Sequence, residues 1–313
     1  MPSLKVIRTR ITSVKSTQKI TKAMKMVAGA RLNRAQQAIT ALRPYAVKTG
    51  DILRSVAGGT PEPGGTGGAA GADAEGAVDA GEVLHPFLAR RKEENVLIVL
   101  FSGDRGLCGG FNTNINKAAE RHWRELAAAG KKVSFVTVGR KGKEHVLRRG
   151  GTLLQDFPKP YEGLDIAKAR LIAGVLAAKF KAKEFDAIYL AFNEFMSAMT
   201  QKPTVTPLLP LPPVPQQEEP GKAAGERTEF LFEPNKRELV HQLVPMYMEI
   251  TIFRAMLESQ AGFFGAQMTA MDSATRNAKD MIKRLSLAYN RARQAAITKE
   301  LMEIIGGAEA LKE

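Results

Sequence analysis

The 313 residues are 44% hydrophobic and carry a net charge of +14, with one cysteine, one tryptophan and four histidines. A single cysteine excludes an internal disulfide, and no apolar run reaches the roughly 20 residues that cross a bilayer as a helix. The histidines, His85, His122, His145 and His241, are scattered and match no zinc-ligand spacing or Cys–His catalytic pattern.

The opening "MPSLKVIRTR" is basic but has neither an apolar block nor a small-residue cleavage site, so it does not read as a secretory signal. Residues 1–57 hold twelve basic residues against the single acid Asp51, a net +11 that is most of the chain's excess. Charge of one sign on that scale seeks nucleic acid, an anionic membrane or acidic protein loops. In the same segment Leu4, Ile7, Ile11 and Val14 recur at alternating spacings of three and four, and Ile20, Met24 and Val27 resume the stripe. A narrow apolar seam on a long helix predicts a coiled coil over 1–57. Aromatic residues are absent from 1–44, which removes the stacking platform of a single-strand binder and leaves nucleic acid as the runner-up partner.

Residues 58–82, "GGTPEPGGTGGAAGADAEGAVDAGE", carry five acids, no base and no large hydrophobe, which predicts a flexible insertion over 58–84. From 85 to 233 the pattern alternates. Apolar runs at 95–102, 132–139, 151–157 and 185–193 read as strands, with helices at about 113–129, 140–149 and 162–182 between them. "KPTVTPLLPL" reads as a further strand, the proline-rich "PPVPQQEEPGKAAGER" as a loop, and "TEFLFEP" as an edge strand. Alternating β and α units predict a Rossmann-like α/β domain with a mostly parallel sheet and helices on both faces. Residues 234–313 return to helical spacing and are nearly balanced in charge, with Pro245 expected to kink or restart the helix near its beginning. Two long helical ends around an α/β middle predict an antiparallel hairpin.

"SGDRGLCGGFN", residues 102–112, follows a strand and opens a helix, the place where α/β proteins hold phosphates. Its glycines fall at 103, 106, 109 and 110, which is not G-x-G-x-x-G, and no Gly-Lys-Ser/Thr follows. "GRKGKE" at 139–144 fails the same tests, and Cys108 has no obvious partner base. Tight strand-to-helix turns need glycine for structural reasons alone. The turn is therefore expected to be architecture, and a nucleotide-dependent enzyme is the third reading.

Three stretches in this order, "ITSVKSTQKITKAMKMVA", "DRGLCGGFN" and "YNRARQAAITKELMEIIGGAEA", with "RPYA" and "PTVTPLLPLP", closely resemble the γ subunit of bacterial-type F-type ATP synthases over nearly the whole chain. The resemblance implies a central rotor stalk, one copy per complex, whose terminal helices form a coiled coil inside a ring of three α and three β subunits. Its α/β domain would then meet the ε subunit and the c ring on the cytoplasmic face of the inner membrane. Rotation would couple proton flow to ATP synthesis or hydrolysis at the β sites and take part in regulating ATPase activity. Catalysis, with bound ATP, ADP and magnesium, would belong to α and β, so no cofactor, metal or catalytic residue is expected here, and no nucleic acid.

By matching position, the resemblance implies that Met24, Lys22 and Lys25 face an acidic loop of β, and that Arg293, Gln294, Thr298 and Glu300 contact another β loop. Ile304, Ile305 and Leu311 would form the bearing tip, and Asp104, Arg105, Gly106, Gly109 and Gly110 the central-motif turn, with a structural role. The insertion at 58–82 departs from the short connection of bacterial relatives. The cysteine-pair switch of the plastid branch cannot exist in a chain with Cys108 alone.

Overall fold

The computed structural model describes residues 4–57, 85–89, 91–211 and 236–310. In chain order these form α1 (Leu4–Ala57), a 3-10 turn (Pro86–Leu88), β1 (Asn95–Phe101), α2 (Phe111–Ala128), β2 (Lys132–Val138), α3 (Arg140–Arg148) and β3 (Thr152–Phe157). α4 (Ile166–Lys181), β4 (Ala187–Phe195), β5 (Gln201–Leu209) and α5 (Lys236–Ala310) complete them. The insertion at 58–84, the proline-rich loop, "TEFLFEP" and Leu311 lie outside the described residues.

The five strands order as β3-β2-β1-β4-β5, parallel except for β5, which runs antiparallel to β4. A short connection joins β4 to β5, too short for the crossover that a parallel partner needs. Pro203 and Pro207 are tolerated in β5 because it is an edge strand. β1 is buried on both faces. Leu97, Val99 and Phe101 point to α4 and to residues 240–256 of α5, while Val96, Ile98 and Leu100 point to α2 and α3. Each such side chain contributes about 1.5–3 kcal/mol on burial, and α5 takes a share of it as one of the domain's own layers.

α1 and α5 pair as an antiparallel hairpin. Thr21 meets Thr275, Lys25 meets Asp272, and Gly29 faces Met268, so residue numbers rise on one helix as they fall on the other. The covered positions of α1 include 4, 7, 11, 14, 18, 21, 25, 28, 32 and 35, an unbroken alternation of three and four, with Met24 and Gly29 half-buried beside it. Thr21, Lys25 and Ala28 therefore occupy the seam, while Ile20 and Val27 are more than half exposed, which corrects the predicted phase of the stripe. Alternating spacing continued from Val14 lands on 18, 21, 25 and 28. Ile20 and Val27 are apolar but sit one residue ahead of the turn. α5 answers with Met268, Met271, Thr275, Ala278, Ile282, Leu285, Tyr289 and Ala292 at the same spacing.

Pro245 lies inside α5 without restarting it. It falls early in the helix, where the missing N–H leaves only the carbonyl of His241 without its helical partner.

Candidate functional site

The lower predicted contact group sits where the seam turns polar. Lys25 Nζ donates to Asp272 Oδ1 at 2.5 Å, and Arg276 approaches the other carboxylate oxygen at 3.3 Å. The hydrogen bond from Lys25 holds the Asp272 carboxyl below its ordinary range. One turn away the hydroxyls of Thr21 and Thr275 are 2.8 Å apart, and Thr275 Oγ1 lies 2.7 Å from the Met271 carbonyl. Lys25 is thus engaged across the hairpin, Met24 is half-buried beside it, and Lys22 points outward. Lys5, Arg8, Arg10, Lys15, Lys19, Arg31 and Arg34 are exposed as well, so α1 presents a basic sleeve.

The upper group stands where the hairpin becomes a single helix. Extending the Thr21–Thr275 level along both helices at a common rise brings Leu4 level with about residue 292. From Ile297 onward α5 projects past α1. Arg293, Gln294, Thr298 and Glu300 are all exposed, on the sides of the helix that the seam residues Ala292 and Ala296 leave free. Ile304 is 71% and Ile305 52% exposed, and Ile297, Leu301 and Met302 extend that apolar surface beyond the residues the sequence motif singled out. The available signal was the end of the α1 seam: apolar residues of α5 beyond that level have no seam partner among the described residues.

The glycine turn is a third place, and a ring of α5 packs against it. Strand order runs away from β1 in both directions, so the crevice between the ends of β1 and β4 is the switch point where doubly wound sheets take ligands. Here Phe263 of α5 fills it. A Cβ on Gly103 would lie 2.7 Å from the Phe263 ring, and that ring packs edge-on to Phe111 at 5.7 Å. Asn112 closes the turn internally, its Oδ1 accepting from Gly103 N–H at 2.8 Å and its Nδ2 donating to the Arg105 carbonyl at 3.1 Å.

Asp104 Oδ1 accepts from the Arg140 N–H at 2.8 Å, so its carboxylate serves the first turn of α3. Arg105 turns its side chain to solvent, Gly106 has open space around it, Gly109 adopts φ +56° and Gly110 precedes the first residue of α2. Burial pushes the Cys108 thiol up, the opposite of what a reactive thiolate needs. The thiol packs with Leu32 and Ala35 of α1 and with Ala261, Phe264 and Ala266 of α5. Among the described residues no cluster of metal-ligating side chains is present.

The family model described as ATP synthase matches residues 3–311. A protein of Sorangium cellulosum named ATP synthase gamma chain is 52% identical, with 100% of both chains covered. The ATP synthase gamma chain of Trichlorobacter lovleyi is 45% identical over the same full coverage. Among solved structures, a chain of the Euglena gracilis mitochondrial ATP synthase OSCP/F1/c-ring matches with a TM-score of 0.63 at 18% identity, covering 98% of this chain and 94% of that one. A chain of the Tetrahymena thermophila mitochondrial ATP synthase central stalk/c-ring matches with a TM-score of 0.57 at 20% identity, covering 82% and 99%. At those identities the solved structures speak for the fold.

Proposed function

The chain belongs to the γ-subunit family of the ATP synthases, and we propose that it is the rotating central stalk of a proton-translocating F-type complex. One copy stands with its hairpin inside a ring of three α and three β subunits. Its α/β domain faces the ε subunit and the c ring, peripheral to the cytoplasmic face of the bacterial inner membrane. Proton flow turns it, and its uneven surface drives the β sites through binding, synthesis and release. Run in reverse, it couples hydrolysis to pumping, and through the same contacts it regulates ATPase activity. Nucleotide, magnesium and the catalytic groups belong to α and β.

The observation that carries this reading is the shape of the shaft. A basic two-helix section gives way near residue 297 to a single helix with exposed apolar side chains, so the surface offered to surrounding subunits changes with height and with direction. A basic sleeve suits acidic loops that must slide past, because long-range attraction tolerates changing geometry better than locked pairs do. Apolar residues at the projecting tip suit an apolar bearing.

Reconstitution with the α and β subunits of the same source tests the proposal. Native mass should give one copy per ring, and steady ATP hydrolysis should rise when the chain is added. No complex, with hydrolysis unchanged, would overturn it and favour the salt-dependent DNA binding expected of a basic helix.

A further inference from the structure

We infer that the plugged crevice at the switch point is the torque joint between shaft and α/β domain, with Phe263 as its positioning residue. The inference rests on the rotor reading, since only a driven shaft needs such a joint. Below it, residues 240–256 of α5 lie along one face of the sheet. There α4 and the end of α1 flank it, and the contacts run between side chains, Arg170 with Glu249 and Tyr45 with Met246 among them.

Residues 261–266 are gripped differently. The Phe263 ring is bounded by the Gly103 backbone, by Phe111 and by Tyr161 at 5.5 Å, and within its own helix by Phe264 at 5.5 Å. Gly262 allows Phe111 and Gln201 against the helix backbone: a Cβ there would sit 3.1 Å from the Phe111 ring. Gly265 does the same for the Ala198 backbone, at 3.1 Å. Gln260 Nε2 donates to the Tyr161 carbonyl at 3.2 Å, and Leu32 and Ala35 of α1 join the same cluster.

Three separate parts of the domain, the turn 103–111, the loop at 161 and the hairpin 197–201, therefore hold one short stretch of α5. Close-packed groups on several sides transmit a twist, because turning the helix drives stiff rings into backbone. The crevice that would hold a ligand in a binding protein holds the shaft in this one.

The test uses the complete complex in sealed membrane vesicles, with ATP hydrolysis and proton pumping measured side by side. Phe263→Ala empties the crevice: hydrolysis is expected to stay near the parent rate while protons pumped per ATP fall, with Phe263→Leu restoring part of the loss. Pumping at the parent yield would overturn the inference, and so would hydrolysis falling in step with pumping.

A second measurement leaves the Phe263 ring in place. A Cβ on Gly109 would lie 4.0 Å from the Ala270 Cβ, within disulfide range, so Gly109→Cys with Ala270→Cys, in a Cys108→Ala background, can be bridged by diamide. Because Gly109 has φ +56° and any side chain there is strained, the reduced double variant is the reference, and a rigid joint keeps hydrolysis and pumping at its level when bridged. Loss on oxidation that reduction reverses would overturn the inference, because it would mean that shaft and domain move against each other. If the rotor reading itself were wrong, none of these variants or the parent would co-purify with α and β.

Discussion

Lys25 of α1 and Asp272 of α5 meet at 2.5 Å across the hairpin, 247 residues apart in the chain, at a seam position where a coiled coil ordinarily buries an apolar residue. The pair marks the level at which the seam becomes polar, one turn from the Thr21–Thr275 contact.

Asp272→Asn removes that anchor and releases Lys25 toward the surface. Both side chains are partly solvent-exposed, so the thermal midpoint of the assembled complex should barely move. What should change is salt sensitivity: with Lys25 free, hydrolysis by the α, β and γ assembly should depend more steeply on ionic strength than in the parent. The pair itself contributes stability above the ordinary carboxylate range and loses it as pH falls through the lowered value of Asp272. Identical salt profiles for variant and parent would refute this.

The glycines of the central motif should separate sharply on substitution. Gly103→Ala drives a methyl to 2.7 Å from the Phe263 ring and should cost about 1–3 kcal/mol in urea unfolding. Gly139→Ala should cost more than that. Its φ is +110°, and the new Cβ would fall 2.1 Å from the Ser102 carbonyl oxygen. Gly106→Ala meets nothing within 4 Å and should be neutral, although it lies in the same motif. Equal losses for Gly103 and Gly106 would contradict the packing described here.

His85 should make the foot of the shaft sensitive to acid. Its Nδ1 accepts from the Phe87 N–H at 3.1 Å, and its ring abuts Phe87 and His241. Burial first, then the neighbouring His241 and Lys181, lower its pKa from 6.5 to about 4. The folded state therefore binds fewer protons than the unfolded state between those values, and stability falls as pH drops through that window. At one proton this amounts to about 2 kcal/mol between pH 6.5 and pH 4.5. His85→Asn should lose that part of the slope. An unchanged slope in urea unfolding across that range would count against it.

Ile304→Asn should leave the folding of the chain unchanged, because 71% of that residue is already in solvent. Assembly with α and β should weaken if the tip seats in an apolar sleeve, and native mass spectrometry at falling protein concentration would detect it. Full assembly at the parent's concentrations would remove the bearing role from this residue.

The central strand β1 was legible because it is a continuous apolar run between turn residues, the pattern a strand covered on both faces demands, while the edge strands β3 and β5 showed through β-branched and apolar residues between turns. The coiled coil was legible as an architecture but misphased after Val14. Thr21, Lys25 and Ala28 hold seam positions that an apolar count does not reward, and Ile20 and Val27 attract attention while facing out. The glycine turn was legible as a tight strand-to-helix turn. Its contact with α5 was hidden, because "AGFFG" at 261–265 reads as a few more residues of an apolar helix.

By itself the sequence determined the order of helices and strands, the basic character of α1 and the family, because periodicity, charge and motif are local properties of the chain. Only the tertiary structure decided which residues of α1 face α5, that Lys25 answers Asp272, that α5 outlasts α1 near residue 297, and that Phe263 occupies the crevice at the end of β1. These depend on how two helices 178 residues apart in the chain align side by side, and on which side chain reaches an opening first. Both are set by packing between segments that no local pattern connects.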